Sequence, residues 1–195
     1  MNLADAEQFI TSILASELSP TLYYHGLHHV LDVVEAADRL ARAEGITDVE
    51  SLDLLKTAAL FHDVGFLSTY TGHEEVGCDY VRATLPRFGY DSAQIDVICG
   101  MIMATRIPQA PQTKLEEILC DADLDYLGRD DFGPIARSLY NELKARAVVA
   151  DELAWNRIQV GFLGSHHYWT PTAIITRQVV KEQHLDALLV AITQQ

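Results

Sequence analysis

The stretch Leu54-Leu55-Lys56-Thr57-Ala58-Ala59-Leu60-Phe61-His62-Asp63-Val64-Gly65-Phe66 constrains this chain more than any other. Its apolar run predicts a buried helix whose last turn delivers an imidazole beside a carboxylate before a glycine stops it. Two such groups at the end of a buried helix are costly to desolvate unless something binds them, and a metal ion is the natural candidate. The rest of the chain is read against that pair.

The segments around it carry helical periods. Leu3, Ala6, Phe9, Ile10, Ile13, Leu14 and Leu18 recur at three- and four-residue intervals, an amphipathic helix ended by Pro20. A break at Ser19 to Thr21 leads through Tyr23 to His29 into a helix carrying Val30, Val33, Val34, Ala37, Leu40 and Ala41, with Gly45 as its cap. Asp48 suits the N-cap of the central helix. Phe66 to Gly72 reads as a loop, His73 to about Leu85 as a helix, and Asp91 as the cap of the next, whose apolar face holds Ile95, Ile98, Ile102 and Met103. After a second loop at Ile107 to Pro111, a helix from Lys114 runs into Cys120 to Gly128. Three more helices are expected over Phe132 to Ala145, Asp151 to His166 and Pro171 to Thr193. No period-2 strand and no repeat stand out. The expectation is all-α, one globular bundle of about eight or nine helices. With 195 residues, 49% of them hydrophobic, it is read as a single domain. Its core spans about 23–128, and the C-terminal helices of 132–193 pack on that core.

A formal net charge of -14 argues against duplex nucleic acid and anionic membrane surfaces, because phosphate-backbone binding depends on Lys and Arg. A small phosphorylated substrate stays compatible, since a bound cation reverses the local field. Cys78, Cys99 and Cys120 form no CxxC pair, which points to a reducing cytoplasm rather than to structural zinc or disulfides. The N-terminus lacks a basic segment followed by an apolar run, and no stretch reaches about 18 apolar residues. A soluble, unprocessed protein is expected.

His25 and His29 are four apart and would share a face if the helix has begun at His25. Asp121 and Asp123 lie near the end of a later helix. Each is ordinary alone. Together they make a series of His, His-Asp and Asp, each on a helix with an apolar face, and that order resembles the HD-domain metal-dependent phosphohydrolases. The resemblance spans about Tyr23 to Gly128, extends less specifically to Lys181, and implies His29, His62, Asp63 and one later aspartate as metal ligands. Asp123 is preferred, because Ala122 precedes it and Leu119 lies four residues before it, whereas Glu117 holds that offset for Asp121. Asp121 is kept as the alternative or as a supporting residue. The sequence Tyr24-His25-x-x-His28-His29 resembles the Tyr-His-x-x-x-His form of class I cyclic nucleotide phosphodiesterases, which implies His25 as general acid, His29 as ligand and His28 as bystander. Gly26 stands where that form usually has Asn.

Mixed imidazole and carboxylate ligands without thiolate suit one divalent cation, Mn, Mg, Fe, Ni or Co rather than zinc. Such an ion acidifies water and polarises a phosphoryl oxygen, and His25 would protonate the leaving oxygen. His73 resembles a second-metal histidine of the superfamily, with Glu74 or Glu75 to orient water. The later position, Ile102-Met103-Ala104-Thr105, has no histidine. One ion is therefore favoured over two, and a di-iron oxygenase loses support. Gly164 to Thr170 resembles a His-x-Tyr-x-Thr element, in which His166 and Tyr168, with Arg106 and Lys181, would bind substrate; Arg129 and Arg177 are further phosphate candidates. The expected function is hydrolysis of a small nucleotide or phosphate ester by a phosphohydrolase or phosphodiesterase. The alternatives are a non-catalytic nucleotide-sensing module and the oxygenase. Oligomeric state is open, a homodimer included.

Overall fold

A computed structural model describes residues 1–194, and among them are nine α-helices and no strand, the all-α class expected. The described residues form two compact units. The first comprises Met1–Ser19 with His25–Asp123, and the second Pro20–Tyr24 with the chain from Leu124 onward.

In the first unit, α1 (Leu3–Glu17), α2 (Leu27–Ala43), α3 (Val49–Phe61), α4 (His73–Thr84), α5 (Ser92–Ala104) and α6 (Lys114–Asp123) follow in order. Their starts are set by side chains. Asp48 accepts the Ser51 N–H to cap α3, and Asp91 and Gln94 form a reciprocal capping box on α5. After α2 the chain turns at Gly45, whose φ of 80° favours glycine. The centre is α3, which packs against α1, α2, α5 and α6. Leu54, Leu55, Thr57, Ala58, Ala59, Leu60 and Phe61 are all buried on it, as a helix apolar on every side requires. Burying a side chain such as Phe61 stabilises by about 2–3 kcal/mol. Its one buried hydroxyl, Thr57, donates to the Asp53 carbonyl at 2.7 Å and lies 2.8 Å from the Tyr90 hydroxyl, so no polar group is stranded there.

Two boundaries differ from the sequence reading. Gly26 is extended, at φ -97° and ψ 176°, and caps α2, so the helix begins at Leu27. His25 therefore precedes the helix and shares no helical face with His29. Likewise α3 ends at Phe61, and the chain continues through a 3-10 turn, Val64–Leu67, where a loop was expected from Phe66. Gly65 lies inside that turn, and its role is contact. A Cβ there would lie 2.0 Å from the His73 carbonyl oxygen, so only glycine lets the first residue of α4 press against the turn.

The second unit holds a 3-10 turn, Asp125–Gly128, then α7 (Phe132–Ala145), α8 (Glu152–Ser165) and α9 (Pro171–Thr193). Thr170 caps α9 and Pro171 occupies its first turn, where a missing N–H costs nothing. Tyr24, Tyr126, Phe132, Tyr140 and Trp155 pack with Leu163 in its hydrophobic core. Glu142, fully buried, accepts the Tyr24 N–H at 2.8 Å, and Arg146 donates to the Thr21 carbonyl at 3.0 Å, which fastens the short segment to α7. No helix among the described residues is long and apolar enough to cross a membrane. Cys78, Cys99 and Cys120 are free and buried.

Candidate metal centre

Four elements of the first unit bring their ends together. His29 comes from the first turn of α2, His62 directly follows α3, Asp63 opens the 3-10 turn, and Asp123 ends α6. His29, His62 and Asp123 each offer one ligand atom, all within 4.8 Å of one another, a group that could hold a metal ion. The Nε2 of His29 is 3.1 Å from Asp123 Oδ1 and 3.4 Å from His62 Nε2. Asp63 Oδ2 lies 3.3 Å from His62 Nε2 and 3.6 Å from His29 Nε2. Asp121, two residues before Asp123, is fully buried and outside the converging group.

The far sides of His62 and Asp63 are tied back. His62 donates its Nδ1–H to the Ala59 carbonyl at 2.7 Å, which fixes Nε2 as the nitrogen facing the group. Asp63 Oδ1 meets His73 Nε2 at 3.5 Å, and His73 Nδ1 is 3.7 Å from Glu74 Oε2. What is left over is Asp63 Oδ2, buried and without a hydrogen-bond partner. A buried carboxylate oxygen with no donor is costly, and a cation is the partner that removes the cost.

The charges respond to this crowding. Burial alone would lower the basicity of His62, but Asp63 and Asp123 more than reverse it and hold the imidazolium well above its ordinary range. Burial opposes ionisation of Asp63 and Asp123. His62 with His73 on the first, and His29 with His62 on the second, nevertheless keep both carboxylates well below theirs. Burial would likewise lower His73, and Asp63 raises it.

Beside the group stands an aromatic wall that the sequence reading passed over. His25 stacks on Phe66 with ring centroids 4.3 Å apart, Phe66 on His73 at 4.0 Å, and Tyr70 packs edge-on to Phe66 at 5.3 Å. The available signal was two aromatics four apart, Phe66 and Tyr70, in a polar stretch directly after His62-Asp63. His28 is exposed, as a bystander would be.

The remaining sequence candidates have partners of their own. Arg106 is exposed and pairs with Glu75. His166, Tyr168 and Lys181 belong to the second unit. There the Lys181 ammonium donates to the His166 carbonyl at 2.5 Å and lies 5.3 Å over the Tyr168 ring, and the Tyr168 hydroxyl donates to the Leu124 carbonyl. Lys181 is buried, and that burial lowers its basicity. Arg177 and Arg129 face Asp125 and Asp131, so their charges are matched within the unit.

Comparisons with known proteins address the same residues. The family model described as HD domain matches residues 26–125, just over half of the chain. Among solved structures, the chain resembles a predicted HD superfamily hydrolase from an uncultured Thermotogales bacterium. The identity is 23%, with 98% of this chain and 88% of that one covered, and the TM-score is 0.59. It also resembles YpgQ of Bacillus subtilis, solved in complex with ADP, at 18% identity over 97% of this chain and 94% of that one, with a TM-score of 0.61. At these identities the likeness is one of fold. No curated protein sequence matches the chain.

Proposed function

The chain belongs to the HD-domain family, and on that premise we propose that it hydrolyses a small phosphate ester, a nucleotide by preference, with one divalent cation held by His29, His62, Asp63 and Asp123. Family membership supports metal-dependent hydrolysis in general; the ligand set and the substrate class are our finer reading. The observation that carries it is the buried Asp63 Oδ2, partnerless beside two imidazole Nε2 atoms. The donor set of two imidazoles and two carboxylates suits Mn, Mg, Fe, Ni or Co.

A cation bound there supplies Lewis acidity, which acidifies water and polarises a phosphoryl oxygen. The chain does the rest. His62 presents Nε2 because Ala59 holds its Nδ1–H, and His73 steadies Asp63 from the other oxygen. His25, partly exposed beside the group, protonates the leaving oxygen, a role worth about 10²–10⁴-fold for a well-placed acid. Nucleotide preference draws support from the ADP in the YpgQ structure, with Arg106, in the same unit as the centre, as a candidate substrate contact. Three buried free thiols fit action in a reducing cytoplasm.

The test is elemental analysis of protein purified without chelator, then a panel of phosphomonoesters, phosphodiesters and nucleoside triphosphates with Mn²⁺, Mg²⁺, Fe²⁺, Ni²⁺ and Co²⁺. Bound metal stoichiometric with the chain and turnover of at least one class are expected. No product across the panel from metal-loaded protein would end the hydrolase reading, and stoichiometric nucleotide binding without turnover would favour a sensing module.

A further inference from the structure

We infer that Phe66 is a positioning residue for proton donation: its ring holds the His25 imidazole in place. This rests on the reading of His25 as the acid. His25 precedes α2, next to the extended Gly26, so no helix fixes its backbone. Its orientation depends on side-chain neighbours. Phe66 offers it a face, with centroids 4.3 Å apart and planes 29° from parallel, and Tyr70 offers an edge at 5.9 Å and 88°.

Phe66 is itself anchored. It is 8% exposed, sits in the turn Val64–Leu67, and donates its N–H to the Asp63 carbonyl at 3.0 Å. The ring that braces His25 is therefore fastened to the same short turn that sets Asp63.

His73 stacks on the same phenyl at 4.0 Å and 24°, and the His25 and His73 centroids are 6.4 Å apart. His73 is engaged with Asp63 and Glu74, so the phenyl that braces His25 also braces a neighbour of Asp63.

A leucine at 66 keeps apolar bulk but has no flat face, whereas a tyrosine keeps the face. Phe66→Leu and Phe66→Tyr are compared with wild type, metal-loaded and full length, on a p-nitrophenyl ester and an alkyl ester of the phosphoryl group that wild type accepts. Nitrophenolate leaves without a proton; an alkoxide needs one. Phe66→Leu is expected to lower kcat on the alkyl ester by about tenfold or more, within the range of an acid's contribution, with KM little changed. The alkyl-to-aryl ratio should fall, and Phe66→Tyr should restore it. Independently of activity, the His25 ring protons should show an upfield ring-current shift by NMR in wild type and Phe66→Tyr, lost in Phe66→Leu. Equal loss on both esters, an unchanged ratio, or no ring-current shift in wild type would overturn the inference. If wild type hydrolyses neither ester, or His25→Ala keeps the wild-type ratio, the functional reading itself fails and takes this role with it; the NMR result then tells whether the stack at least exists.

Discussion

Both units bury carboxylates, and they neutralise them differently. In the second unit Asp125 is 1% exposed, and Arg177 meets it with two donors at 2.8 and 3.2 Å. In the first, Asp63 and Asp123 face imidazoles, and one oxygen of Asp63 forms no hydrogen bond. A guanidinium stays protonated in proteins, so the Asp125 pair is permanent. An imidazole can surrender its proton and offer a lone pair. Buried negative charge is therefore closed off in one region and exchangeable in the other, and only the exchangeable kind can accept a cation.

The largest test of this contrast is Asp63→Asn. Bound metal and turnover should fall to background, measured by elemental analysis and by assay on whichever ester wild type accepts, while the metal-free protein should lose less stability to urea than Asp125→Asn does. Asp123 still faces His62 at 3.5 Å, and an imidazole short of a carboxylate can release its proton, so no charge is stranded. Asp125→Asn should do the opposite, costing about 2–3 kcal/mol by urea unfolding, below the full range for a broken buried pair because Arg177 keeps 21% of its side chain in solvent. Metal content should not change. Equal costs for the two substitutions in metal-free protein would erase the distinction.

Each unit also uses a glycine to bring a carboxylate and its partner together. A Cβ at Gly65 would lie 2.0 Å from the His73 carbonyl oxygen, and one at Gly128 2.4 Å from that of Arg177. Gly65→Ala and Gly128→Ala should each cost about 1–3 kcal/mol, as overpacking does, read from thermal unfolding. Only the first should lower turnover.

The smallest effect is in pH. The folded His62 holds its proton more tightly than the unfolded chain does. Its contribution to metal-free stability is therefore complete below the unfolded value of about 6.5 and lost as pH rises through the higher folded value. Asp63 and Asp123, held low, lose theirs only in acid. A cation must displace the His62 proton, so the metal-induced rise in Tm should be larger at about pH 8 than at about pH 6, by roughly 1 kcal/mol in equivalent stability. An equal rise at both would show that no proton is exchanged.

Much of the helical frame was legible, because α1 and α3 declare themselves by their apolar pattern, by the stop before Pro20 and by the cap at Asp48. The order of His29, His62-Asp63 and Asp123 carried the family resemblance that implied these four as a set, and their side chains do converge. Other features were not. The extended Gly26 ends the helical run before His25, and a single glycine does not announce on which side of it a helix starts. Phe66 looked like loop because a 3-10 turn of four residues has no period to detect. Asp125 and Arg177 lie 52 residues apart, and a pair made by tertiary packing leaves no spacing to find.

The bond from His62 Nδ1 to the Ala59 carbonyl has a reach beyond the centre itself. A helix ends with carbonyls that no following turn can claim, and here one of them selects the imidazole tautomer. The ligand's identity as a particular nitrogen is thus a property of the last turn of α3. Ala59, Leu60 and Phe61 are fully buried, so that turn cannot loosen ahead of the packing around it. Heat should accordingly leave such a centre intact until the fold itself gives way.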